Sequence, residues 1–310
     1  MRTRVGLLLY LMSLVTVQAQ TLYHRAFGRP EDPPMVFLHG GPGSSSVYFE
    51  ATTARQLAQR GFFVIVYNRR GEGRSKDPLA KMNFEEALTD LNQIYRTYRL
   101  TKANLIGFSF GGLIATQYAQ KYPHKVKALL LCSALVSQQQ SYNTVLRTTK
   151  TIYEQRNDTT DLHELVAINQ LDTTSLAYRT LVFKHASANG FFTLRQPNEL
   201  ARQIYSTYPT DTLISRYVKN EQAVDTFWQH ERDHNIDVTP ILKRLRQDYM
   251  PIYALYGKQD GLYSPQQIAE LERLLSPTHV RYLDTCSHTV FIDQQALFLA
   301  AASRWLNQDR

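Results

Sequence analysis

Two glycine-rich turns constrain this chain more than any other feature. His39-Gly40-Gly41-Pro42-Gly43 follows the apolar run Pro34-Met35-Val36-Phe37-Leu38. Gly107-Phe108-Ser109-Phe110-Gly111 follows Asn104-Leu105-Ile106 and leads into a helix-compatible stretch. Short apolar runs bounded by glycine read as buried strands. The second turn therefore places Ser109 at a strand-to-helix junction. Such an elbow forces its central residue into a strained backbone, and Gly107 and Gly111 relieve the crowding on either side. Acyl transfer at a serine also needs backbone N–H groups for the oxyanion, and the first turn can bring one close without a Cβ in the way.

A serine nucleophile of this kind takes its acid and then its base from later in the chain. Pro251–Tyr256 reads as a strand, and Gly257-Lys258-Gln259-Asp260-Gly261 follows it. Val280–Leu283 reads as the next strand, followed by Asp284-Thr285-Cys286-Ser287-His288 and an amphipathic helix over about 290–306. Asp260 and His288 thus lie beyond strand ends, on the edge expected for Ser109. His288 is the expected proton carrier and Asp260 the residue that orients it. Asp284 is the competing acid, on the wrong side of a strand. His39 is expected to support its loop.

Strand patterns near 21–27, 34–38, 62–67, 103–108, 126–133, 251–256 and 279–283 alternate with helical patterns at 47–60, 84–98 and 112–121. That alternation predicts an α/β fold, a mostly parallel sheet with helices on both faces. Residues 137–249 break the rhythm. They are polar and helix-compatible, with apolar clusters only at Leu181-Val182-Phe183 and Phe191-Phe192, and read as a helical cap inserted between two parts of a core. The expected organisation is 1–19 signal peptide, 20–136 core, 137–249 cap and 250–310 core.

The N-terminus carries Arg2 and Arg4, then an apolar run from Val5 to Val17 and a small-residue site at Val17-Gln18-Ala19. That run is shorter than the roughly 20 residues of a membrane span. A secreted or periplasmic protein cleaved near Ala19 is expected, with no stable membrane span in the mature chain. Cys132 and Cys286 are the two cysteines and read as buried free thiols. No Cys or His cluster has metal-ligand spacing and no phosphate loop is present, so no metal or cofactor is expected. The formal charge of +8 is dispersed among acids, without the stacked basic and aromatic surface of a nucleic-acid binder. The expected partner is a small molecule or short peptide.

His-Gly-Gly-Pro-Gly followed by Gly-x-Ser-x-Gly-Gly resembles the proline iminopeptidase family of α/β-hydrolases. The likeness covers roughly 34–136 and 251–306. It implies the α/β-hydrolase fold, an acyl-enzyme on Ser109, and an oxyanion hole from the backbones of Gly41 and Phe110. Tyr67–Ser75 is similar to the family's loop-shaping segment, with Asn68 and Arg69 in place of Asp-Gln. The cap lacks the Glu-Asn-His-Tyr-Phe type segment that supplies the amine-binding glutamate, and Glu221 and Glu231 read as solvated helix charges. The resemblance makes an aminopeptidase related to proline iminopeptidases the expected function, with an acyl hydrolase and a ligand-binding protein as alternatives. An aminopeptidase would have a carboxylate facing the cavity. An esterase or other acyl hydrolase would have an apolar pocket without one. A ligand-binding protein would keep the fold without activity.

Overall fold

The computed structural model describes residues 22–307; the expected signal peptide and its cleavage site lie outside them. Seven strands form one sheet: β1 (His24–Phe27), β2 (Pro34–Leu38), β3 (Phe63–Tyr67), β4 (Ala103–Phe108), β5 (Val126–Cys132), β6 (Ile252–Gly257) and β7 (Val280–Leu283). Their order is β1-β3-β2-β4-β5-β6-β7. Only β1 runs antiparallel to its neighbour. The α/β expectation of a mostly parallel sheet with helices on both faces is therefore met.

The continuous apolar runs of the central strands follow from burial on both faces. Val36, Leu38, Leu105, Leu129 and Leu131 enter the core on one face, while Met35, Phe37, Ile106 and Leu130 enter the core on the other. Helix α1 (Phe84–Thr97) starts at Asn83, whose side chain accepts from the Glu86 N–H. Phe84, Ala87, Leu88, Leu91, Ile94 and Tyr95 then recur at helical spacing and bury one stripe. Helix α2 (Phe110–Lys121) packs on the same face.

Between β5 and β6 the chain makes six further helices: α3 (Gln138–Arg156), α4 (Thr159–Ile168), α5 (Leu176–Ala188), α6 (Glu199–Ser206), α7 (Ala223–His230) and α8 (Thr239–Gln247). These six helices are inserted between β5 and β6 of the sheet. After β6, helix α9 spans Pro265–Leu275, and α10 (Gln295–Leu306) ends the described chain.

Two helices expected as single pieces are interrupted. The 47–60 stretch contains a π-helical segment at Glu50–Ala54. There the buried Glu50 carboxylate accepts from Tyr23 and pairs with Arg25 and Arg74. The 290–306 stretch breaks at Gln294. Beside the break, the carbonyl of Asp293 accepts from Asn198 Nδ2 of the cap at 2.6 Å.

The sheet order reverses between β2 and β4, the place where ligands of open α/β sheets bind. Leu38 pairs with Gly107, Gly107 with Leu131, Cys132 with Leu255 and Gly257 with Leu283. The turns carrying Gly41, Ser109, Asp260 and His288 therefore leave the same edge of the sheet.

Candidate active site

Ser109 sits between β4 and α2 with φ 53° and ψ −122°. A side chain held there costs on the order of 1–3 kcal/mol, so the surroundings must over-determine it. They do: the Ser109 N–H donates to the Cys132 carbonyl at 3.1 Å, and its carbonyl accepts from Gly112 at 2.9 Å and Leu135 at 3.1 Å. The two flanking glycines are required by space. A Cβ on Gly107 would stand 2.7 Å from the Gly112 Cα, and one on Gly111 would stand 2.2 Å from the Leu38 carbonyl oxygen. The α2 N-terminus, with its partial positive charge, opens at the next residue.

The β2 turn lies directly over this elbow; a Cβ on Gly40 would meet that of Ser109 at 3.2 Å. Arg69 holds the turn open by donating to the carbonyls of His39 and Gly40, each at 2.6 Å. Its Nε donates to Glu72 at 2.6 Å, and Glu72 in turn accepts from the Gly43 N–H. His39 is fully buried. Its Nδ1 donates to the Gly40 carbonyl and its Nε2 accepts from the Arg69 N–H. Burial, reinforced by the Arg69 charge, holds its pKa well below the usual imidazole value. His39 and the Tyr67–Ser75 segment thus sit where loop support requires. Gly41 and Phe110 both line the cavity at Ser109. Among the described residues, neither backbone N–H donates to a protein acceptor.

Asp260 and His288 meet across two adjacent turns. His288 Nδ1 donates to Asp260 Oδ2 at 2.7 Å, and the Leu262 N–H donates to Asp260 Oδ1 at 3.2 Å. Gln259 ties the turns together, its N–H donating to the Cys286 carbonyl and its side-chain oxygen accepting from the Cys286 N–H. Asp284, the competing acid, is instead an exposed partner of Lys258 at 2.8 Å. The rings of Phe108 and Phe192 flank His288 at 5.1 and 5.4 Å. Ser109 makes no hydrogen bond to His288 here; such bonds are often long without substrate and tighten when it binds.

One buried carboxylate beside His288 was not singled out from the sequence. Asp293 is fully buried. It accepts from the N–H and hydroxyl of Ser287, next to His288, and from Tyr205 of α6. A carboxylate inside an apolar helix stretch is the only hint the sequence holds.

A cavity of about 120 Å³ opens beside Ser109, walled by the two turns below and by cap residues above. The cap supplies Gln138, Arg179, Phe183, Phe192, Phe227 and Trp228. Among the described residues, no carboxylate lines it. Glu221 pairs with Lys219 at the surface. Glu231 accepts from the backbone of Phe84, Arg232 and Asp233 and faces a different cleft. Phe192 separates this cavity from a more apolar cleft of about 390 Å³ lined by Tyr48, Phe108, Tyr205, Tyr208 and Phe291.

Cys132 and Cys286 are buried and unpaired, and burial pushes both thiols up. Away from the cavity, Asp161, Glu164 and His185 offer ligand atoms within 4.8 Å of one another. Sequence spacing did not reveal this grouping, because two helices bring it together. Lys184 already occupies Glu164 at 2.7 Å. Among the described residues no helix is long and apolar enough to cross a membrane.

Residues 33–295 match the family described as alpha/beta hydrolase fold. A proline iminopeptidase of Lactobacillus helveticus is 27% identical over 295 residues, covering 92% of this chain and 94% of its own. Among solved structures, a proline iminopeptidase-related protein of Thermus thermophilus superposes with a TM-score of 0.66 at 20% identity, covering 92% of this chain and 94% of its own. An esterase of Exiguobacterium antarcticum superposes with a TM-score of 0.60 at 19% identity, covering 92% and 95%.

Proposed function

Taking as premise that this chain belongs to the alpha/beta hydrolase family, we propose that it is a serine acyl hydrolase. It opens an ester or amide bond through an acyl-enzyme on Ser109. The observation that carries this reading is the strained Ser109 elbow on the same sheet edge as the hydrogen-bonded His288–Asp260 pair. In the proposed reaction Ser109 Oγ attacks the substrate carbonyl and its proton passes to His288 Nε2. Asp260, bonded to Nδ1, holds the tautomer and stabilises the imidazolium. The backbone N–H groups of Gly41 and Phe110 receive the oxyanion. His288 returns the proton to the departing alcohol or amine. Water, deprotonated by the same histidine, then releases the acid and frees Ser109.

The substrate class divides two readings. Similarity to proline iminopeptidases favours an aminopeptidase. The lining of the cavity, which holds no carboxylate to pair with a substrate ammonium, favours a general acyl hydrolase. We adopt the second. The sequence of residues 1–19 further supports export, with cleavage near Ala19; N-terminal sequencing of the protein from a periplasmic or culture fraction checks this.

The test is hydrolysis of nitrophenyl esters and of prolyl and alanyl anilides by the protein and its Ser109→Ala variant. Ester cleavage that depends on Ser109 and needs no free amine is expected. Cleavage confined to anilides with a free amine would replace this reading with the aminopeptidase.

A further inference from the structure

Among the described residues, one charged group lines the cavity, and it is a cation. Arg179 projects from α5 into the space beside Ser109. Its guanidinium carbon lies 4.7 Å from the ring centre of Phe183 and 5.4 Å from that of Trp228. Among the described residues no carboxylate lies within ion-pair distance, and no side-chain hydrogen bond from Arg179 reaches a protein acceptor. This sets it apart from Arg69, Arg70 and Arg74, each paired with an acid. Burial lowers its pKa from the ordinary guanidinium value, though it remains charged at any physiological pH.

A partly buried guanidinium without a counter-charge is costly to maintain. The two rings offset part of that cost through their negative faces while leaving the charge unneutralised and its N–H donors without a protein acceptor. Gln138, which also lines the cavity, donates from Nε2 to Tyr142 and accepts at Oε1 from the Ile236 N–H. Among the side chains lining the cavity, the charged donors without a protein acceptor are those of Arg179.

We propose that Arg179 is an anion subsite, and that the substrate carries a carboxylate on the group that occupies this cavity, a few bonds from the scissile carbonyl. This rests on the acyl-hydrolase reading of Ser109 and names its substrate class. A single guanidinium presents a planar fork that matches one carboxylate bidentately. A phosphate dianion would call for more positive charge than this cavity holds. The apolar cleft beyond Phe192 is left for the other side of the substrate, so the preferred compound is an ester or amide of an acid bearing one free carboxylate and one apolar flank.

The experiment compares kcat/KM for nitrophenyl monosuccinate with that for its methyl ester, equal in reach but neutral. The enzymes are the parent protein, Arg179→Gln, Arg179→Lys and, as a surface control, Arg202→Gln. A preference of about 100-fold for the anionic ester is expected. It should collapse in Arg179→Gln, survive in part in Arg179→Lys and persist in Arg202→Gln. A second readout needs no turnover. Trp228 fluorescence is titrated with propionate, propionamide and inorganic phosphate in the parent, Ser109→Ala and Arg179→Gln proteins. A response to propionate alone, retained in Ser109→Ala and absent in Arg179→Gln, supports the subsite.

Equal rates on the two esters overturn the proposal while leaving the acyl-hydrolase reading in place. So does a preference unchanged in Arg179→Gln, with a lowered melting temperature as its only effect, which makes Arg179 a packing residue. A fluorescence response to phosphate in place of propionate overturns the carboxylate assignment. A propionate response without Ser109-dependent hydrolysis keeps the subsite and removes the reading of Ser109.

Discussion

The sheet edge and the cap meet at one cavity but are built by different rules. At the edge, each candidate residue sits on a turn that follows directly after a strand. Ser109 is held by a turn whose glycines tolerate no Cβ, and Asp260 by the loop directly after β6. In the cap, Arg179, Phe183, Phe192, Phe227 and Trp228 come from two helices and a loop far apart in the chain. The contrast suggests a division of labour. On the proposed reading, the edge supplies chemistry that any acyl substrate uses, and the cap supplies the shape and charge that select among substrates.

Breaking the edge should lower turnover on every substrate alike. Ser109→Ala is expected to reduce kcat by about four to six orders of magnitude on every ester tested. Asp260→Asn should follow, with a fall of about four orders from the wrong His288 tautomer. Retention of either activity would separate chemistry from this edge.

Asp293 lies on the seam between the two regions, because it joins Ser287 to the cap residue Tyr205. Asp293→Asn should lower kcat by about 10- to 100-fold with a much smaller change in KM, measured on one ester at several concentrations. A pure KM effect would assign Asp293 to the cap's role. Phe192→Ala, confined to the cap, should change the ranking of acyl chain lengths by about 10-fold with little common loss. A uniform loss across all chain lengths would erase the proposed division.

The smallest effect concerns stability of the edge. Folded His39 resists protonation, whereas in the unfolded chain it takes up a proton near pH 6.5. Below that pH the unfolded state binds more protons, so stability falls as pH falls, by about 1.4 kcal/mol per unit for one proton. Urea denaturation at pH 7.5 and 5.5 should show a slope reduced by one proton in His39→Gln. An unchanged slope would mean that another group governs the acid limb.

The legibility of the sequence follows the same divide. Strand and turn positions at the edge could be read nearly to the residue, since a buried parallel strand is a continuous apolar run and an elbow needs glycine at set offsets. The breaks at Glu50–Ala54 and Gln294 could not be read. Beside them a buried carboxylate or a carbonyl is bonded to partners distant in the chain, among them Arg74 and Asn198. The Leu181–Phe183 and Phe191–Phe192 clusters were visible as apolar, but not as divided between core and cavity wall.

The sequence by itself determined the class of sheet, the strained serine turn and the order of serine, acid and histidine. These depend on local periodicity and on steric rules that act within a few residues. Only the tertiary structure decided what faces the serine. A cation without a counter-ion and the absence of a carboxylate are properties of a surface assembled from distant helices, and no local spacing encodes which side chains share it.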